Sequence, residues 1–140
     1  MNINPIMIWL LRSPLHRLVS RSTMLVTYQG RKSGRQITLP VNYVRYGEQV
    51  LVLSVRKRAW WRNFRTPSPA VLRLHGRDLP VQGSVVQDEQ ELLAGLAAFF
   101  KGMPQAARYL KIWFDDQGEP DQDDVRQAAE GRVLLRFEKQ

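Results

Sequence analysis

From residue 24 onward the chain follows a two-residue rhythm. Residues 24–29, 37–46 and 50–55 alternate apolar and polar side chains, or run apolar with β-branched residues, so three strands are expected, with GRKSGR and YGEQ as their turns. AWWRNF restores helical spacing for a turn or two before TPSP ends it. Residues 70–75 and 79–86 form a second hairpin pattern around GRD. Residues 87–100 read as a helix, with Asp88 at the N-cap and Leu92, Leu93, Leu96 and Phe99 on one face. Gly102 and Pro104 divide it from a short helix through Leu110, and a helix over 123–130 and a strand over 132–137 complete the order. That order is α+β: six predominantly antiparallel strands suit a small barrel with flanking helices. One domain over residues 1–140 is expected, with neither repeat nor linker.

Before the strands, Ile6, Trp9, Leu10, Leu15, Leu18 and Val19 recur at helical spacing, with Arg12, His16, Arg17 and Arg21 between them and Pro14 as a break. The apolar run from Ile6 to Leu11 is too short to span a bilayer, and its flanks are not those of a signal peptide, so a cytoplasmic protein is expected. A helix over residues 1–21 packed on the domain is favoured over one making a peripheral membrane contact.

Composition adds exclusions. At 140 residues, with 44% hydrophobic and 24% charged residues, the chain has the size and make-up of one globular core. The absence of cysteine excludes disulfides and thiol chemistry. Two histidines, His16 and His75, stand far apart, so no metal site is expected. The acidic FDDQGEPDQDD lacks the ligand register of a calcium loop and reads as a solvated turn. The net charge of +8 is unevenly spread, with fourteen Lys/Arg against two acids up to residue 87 and seven against eleven beyond it. Such a field concentrates an anionic ligand, a nucleic acid or an anionic surface, without choosing among them.

The cations crowd most closely in GRKSGR. No lysine follows its second glycine and it leads into a strand, so it is not a P-loop, and GxGxxG is absent. What remains is a tight glycine turn whose N–H groups can converge on an anion, with Lys32 and Arg35 to pair with phosphate; a solvated basic hairpin tip would read the same.

The surrounding residues carry a resemblance. TYQGRKSGRQITLPVNYV, VLVLSV and AWWRNFRTPSPAVLRLHGR resemble the deazaflavin-dependent nitroreductase family, within the split β-barrel flavin and deazaflavin oxidoreductases, over roughly residues 20–90. The resemblance implies an FMN-binding split-barrel-like fold. It further implies that Lys32, assisted by Arg31, Ser33 and Arg35, holds the phosphate-bearing arm of a cofactor, and that Pro40 and the backbone amides of Val41 and Asn42 lie against its ring. Ser54, Trp60 and Asn63 fall where the family completes the pocket, and Arg58, with Arg56 and Lys57, adds charge from another side. Without that resemblance, the adjacent Trp60 and Trp61 read first as core and partly exposed wall.

The implied activity is that of an oxidoreductase in which reduced deazaflavin, coenzyme F-420, passes hydride to a small-molecule acceptor such as a quinone, a nitro-compound or an activated enone. FMN is the alternative cofactor. The cofactor would carry the redox chemistry, so no catalytic residue is singled out, and Tyr43, Tyr109 or solvent could deliver the proton. The competing readings are a non-catalytic cofactor or lipid carrier and a nucleic-acid-binding module. The latter is disfavoured, because the cations cluster at turns while the aromatics concentrate in one helix, and no RNA-binding signature occurs. Monomer and homodimer are both compatible with the sequence.

Overall fold

The structure, a computed structural model, describes residues 22–140. The helix expected over residues 1–21 lies outside the described residues. The strands are β1 (Thr23–Gln29), β2 (Gln36–Asn42), β3 (Val44–Tyr46), β4 (Gln49–Val55), β5 (Ser68–Leu74), β6 (Arg77–Val85) and β7 (Arg132–Lys139). They form a single antiparallel sheet in the order β2-β1-β5-β6-β7-β4-β3. Strands β2 and β3 are consecutive in the chain and yet stand at opposite edges of that sheet, with only Tyr43 between them. A sheet whose edges are joined by one residue has to curl until they meet, which makes this an α+β split β-barrel.

The single strand expected over residues 37–46 is therefore two, and the expected six strands are seven. Asn42 still pairs with Thr23 of β1, whereas Val44 pairs with Leu51 of β4. Between them the Tyr43 N–H donates to the Ser22 carbonyl at 3.0 Å, outside either ladder. Past Leu51, β4 runs back alongside β2 without pairing to it, and the barrel stays open along that stretch.

Alternation along each strand sorts side chains to two cores. Met24, Val26 and Tyr28 of β1, Val50 and Val52 of β4, Ala70, Leu72 and Leu74 of β5, and Val133, Leu135 and Phe137 of β7 fill the barrel. Leu51 and Leu134 point the other way, to the helices α1 (Glu89–Gly102), α2 (Pro104–Tyr109) and α3 (Gln122–Ala129), where they meet Leu96, Phe99, Phe100 and Val125. Each fully buried Val, Leu, Met or Phe among them contributes about 1.5–3 kcal/mol. Asp88 caps α1 as expected, its carboxylate accepting the Glu91 N–H at 3.0 Å. In the acidic turn, Asp115 Oδ1 accepts the N–H groups of Gln117 and Glu119, each at 2.9 Å. Among the described residues no helix is long and apolar enough to cross a membrane.

A 3-10 helix, Trp60–Phe64, turns Trp60, Trp61 and Phe64 into the barrel. Phe64 packs edge-on against Tyr28 and Phe137, at 5.4 Å each, and against Trp60 at 6.1 Å. Gly83 of β6 makes room for this, since a Cβ there would stand 2.6 Å from the Phe137 ring and 2.8 Å from that of Phe64.

Candidate functional site

Two clefts share Trp60 as a wall. The first, about 410 Å³, follows the open split: Pro40, Val41 and Asn42 form one edge, and Val52 to Val55 the other, with Arg58 and Thr23 at its sides. The second, about 400 Å³, lies between the GRKSGR turn and the 3-10 helix. Arg31, Lys32 and Ser33 line it from the turn, Arg62, Asn63 and Arg65 from the helix, and Tyr28 from β1. Both volumes fall within the roughly 300–1,000 Å³ usual for small-molecule sites.

The turn explains its own composition. Gly34 has φ +70°, a left-handed conformation that glycine adopts without penalty. The Gly30 N–H donates to Arg35 O at 2.7 Å, Gly34 N–H to Gly30 O at 2.9 Å, and Arg35 N–H to Ser33 Oγ at 3.2 Å. The Arg31 N–H is taken by Asn63 Oδ1 at 2.7 Å. The N–H groups of Lys32 and Ser33 have no acceptor among the described residues, which leaves two adjacent donors at the turn.

Positive charge surrounds them. Arg31, Lys32, Arg35, Arg56, Lys57, Arg58, Arg62 and Arg65 sit on this turn and on the segment around the 3-10 helix, and among the described residues none forms an ion pair. Three of these guanidiniums, of Arg56, Arg62 and Arg65, stack around one indole, with their carbons 5.6, 5.7 and 5.1 Å from the Trp61 ring. The ring quadrupole offsets part of their mutual repulsion. The Trp61 indole N–H is satisfied by Arg56 O at 3.0 Å.

Several residues expected at the ligand use their side chains within the protein and shape the walls. Ser54 Oγ accepts the Trp60 indole N–H at 3.0 Å and donates to Val55 O at 3.2 Å, so it fixes the shared wall. Asn63 Nδ2 donates to Trp60 O at 2.8 Å while its Oδ1 holds the turn. Asn42 Oδ1 accepts from the Thr23 hydroxyl at 3.1 Å. The structure thus gathers Pro40, Val41, Asn42, Ser54, Arg58 and Trp60 at one cleft and Arg31, Lys32, Ser33, Trp60 and Asn63 at the other. Arg35 is exposed and lines neither.

Tyr43 and Tyr109, two of the expected proton sources, also line neither cleft. Tyr43 is buried at the barrel seam with its hydroxyl 3.3 Å from His75 Nε2; burial raises its pKa, and the positive charge of Arg45 partly opposes this. Tyr109 is 83% exposed on α2. Sequence reasoning missed Tyr28, Arg62 and Arg65. The two arginines flank Asn63 within WRNFR, and their helical spacing was the available signal.

No protein-family profile matches the chain, and no curated protein is similar to it. Its fold does match solved structures. It resembles an F420-H2 dependent reductase, FDR-A, with a TM-score of 0.54 at 16% identity, over 82% of this chain and 94% of that one. A pyridoxamine 5'-phosphate oxidase-related, FMN binding protein from Nostoc punctiforme gives 0.57 at 16% identity, over 99% and 83% of the two chains. The FAD and heme binding protein from Mycobacterium smegmatis gives 0.55 at 12% identity, over 92% and 67%. In fold, then, the chain is a split β-barrel of the kind found in this reductase and in these flavin-binding proteins.

Proposed function

We propose that the two clefts together take one flavin-type cofactor, with its phosphate-bearing arm at the GRKSGR turn and its ring in the open split, and that the protein is an oxidoreductase. One observation carries this reading: a slot edged by strand backbone and a cleft lined by cations share a buried tryptophan wall. The residues fit such a group. Among the described residues, Lys32 and Ser33 offer N–H donors without an acceptor, and Arg31, Lys32, Arg62 and Arg65 offer charge without a competing carboxylate.

The preferred cofactor is a reduced deazaflavin of the coenzyme F-420 type, serving a quinone, nitro-compound or activated enone as acceptor; the likeness to an FMN binding protein keeps FMN as the second reading. When bound, such a ring supplies the hydride chemistry itself. The chain binds and orients. Proline is tolerated on an edge strand where its missing N–H would face away from the neighbouring strand. By the two-residue alternation that parity aims the Asn42 N–H at the split and commits that of Val41 to β1, so Asn42 is the backbone donor to the ring edge. Trp60, held by Ser54, gives the flat wall, and Arg58 adds positive charge at the mouth, where it favours negative charge developing on the ring. Among the described residues no acid lines the split, and the proton is assigned to solvent.

The test is a fluorescence-detected titration of the purified chain with FMN and with the deazaflavin, repeated on Lys32→Ala. Loss of this charge-assisted contact should weaken binding about 5- to 150-fold. Failure of both cofactors to bind, or an unchanged affinity in the variant, would overturn the reading. Tight binding with no reduction of any acceptor would instead identify a carrier.

A further inference from the structure

We propose that the Tyr28 hydroxyl is a ligand-recognising group: an enclosed phenol of the turn–helix cleft that donates a hydrogen bond to an oxyanion bound there. The proposal rests on the reading that this cleft holds a phosphate-bearing arm.

The ring of Tyr28 is accounted for by packing. Alternation along β1 turns it into the barrel with Met24 and Val26, where it is 3% exposed and lies 5.4 Å from the Phe64 ring and 6.4 Å from that of Trp60. Phenylalanine would meet those contacts equally well. The hydroxyl is not accounted for: it is enclosed and has no hydrogen-bond partner among the described residues. Leaving such a hydrogen bond unmade is a cost to the folded protein.

The neighbours show what is missing. The cleft that Tyr28 lines presents donors: the Lys32 and Ser33 N–H groups and the side chains of Arg31, Lys32, Arg62 and Arg65. The side-chain acceptor of Asn63 is already taken by Arg31. A site whose side chains are dominated by N–H donors and positive charge is completed by a ligand rich in acceptors, which is a phosphate-like oxyanion rather than a cationic group. Burial pushes the Tyr28 pKa up to about 12, which keeps the phenol protonated, a donor that adds no further charge to a crowded cluster.

The test compares the full chain with Tyr28→Phe in titrations with inorganic phosphate at low salt, followed by tryptophan fluorescence, and in thermal melts without ligand. Phosphate affinity should fall about tenfold or more. The unliganded variant should melt no lower than the parent, because an unpaired buried hydroxyl has been removed. A second reading uses the parent chain with 13C-labelled tyrosine ring carbons, where phosphate should shift the Tyr28 Cζ resonance. No phosphate binding, an unaltered affinity in the variant, a lowered melting temperature with affinity intact, or an unmoved Cζ signal would each overturn the assignment. Cofactor and phosphate binding that are both indifferent to Tyr28→Phe would remove this role and leave the oxidoreductase reading standing. Phosphate binding that needs the hydroxyl, in a chain that binds neither cofactor, would do the reverse.

Discussion

Asn63 Oδ1 accepts the Arg31 N–H at 2.7 Å, and through this bond the 3-10 helix holds the cation-bearing turn in place. The other end of the same amide donates to Trp60 O at 2.8 Å. One side chain therefore ties the phosphate-side turn to the wall of the ring-side split. Asn63→Ala should weaken phosphate and cofactor binding while lowering stability by only about 1 kcal/mol, the usual net worth of a partly exposed hydrogen bond. Amide hydrogen exchange at Arg31 gives an independent reading, because its N–H should lose protection in the variant.

Ser54 and Trp60 form a buried pair through the indole N–H, at 3.0 Å. Ser54→Ala leaves that N–H without a partner inside the barrel and should cost about 1–3 kcal/mol in chemical denaturation. In Trp60→Phe the same serine change should matter much less. A double-mutant cycle should return a coupling of about 0.5–3 kcal/mol, and a cycle near zero would show that the two residues act independently.

The cation cluster predicts an unusual response to salt. Raising sodium chloride from about 0.01 M to about 0.15 M shortens the Debye length from about 30 to about 8 Å. With eight cations that have no ion pair among the described residues on two adjoining segments, screening should raise the melting temperature; phosphate at matched ionic strength should raise it further by binding. A fall in melting temperature with added chloride would mean that the exposed ion pairs, such as Arg73–Asp78, outweigh the cluster.

The sequence was most readable where a rule is local. Strand alternation, the Asp88 cap and the glycine turn follow from neighbours in the chain, and each stands as expected. The break at Tyr43 was hidden because the residues on both sides of it still have strand-like composition; what changes is the partner strand, from β1 to β4, and pairing depends on residues far away in sequence. The candidate site was legible as a set of positions and less so as a set of roles. Ser54 and Asn63 were expected against a ligand, and their hydrogen bonds show them positioning Trp60 and the turn. Tyr28 gave no signal, since an inward aromatic on a strand reads as core and only the unmet hydroxyl marks it out.

Alkaline titration should expose Tyr28 through stability. Its folded pKa of about 12 lies above the ordinary value of 10.0, so between these values the folded protein keeps a proton that the unfolded chain releases. The associated stability is complete below pH 10 and is lost as pH rises through the folded value, about 2–3 kcal/mol in all. Tyr43, also raised by burial, acts in the same direction. Denaturation between pH 9 and pH 12 should show a shallower decline in Tyr28→Phe than in the parent, and equal slopes would contradict the burial of this phenol.

Gly83 tests how tightly the barrel end is plugged. A Cβ at this position would sit 2.6 Å from Phe137 Cε1 and 2.8 Å from Phe64 Cδ1, nearer than side-chain carbons pack, and both rings belong to the inner core. Neither ring can withdraw freely: Phe64 is wedged against Tyr28, Trp60 and Phe137. Gly83→Ala should therefore cost about 1–3 kcal/mol by overpacking, read as a lower denaturation midpoint. Because the displaced Phe64 would push on Trp60, the same change should also perturb tryptophan fluorescence and weaken ligand binding. Adding Phe64→Leu, which frees space beside the new methyl group, should restore part of the lost stability; if the double variant is no more stable than the sum of the single changes implies, the strain lies elsewhere.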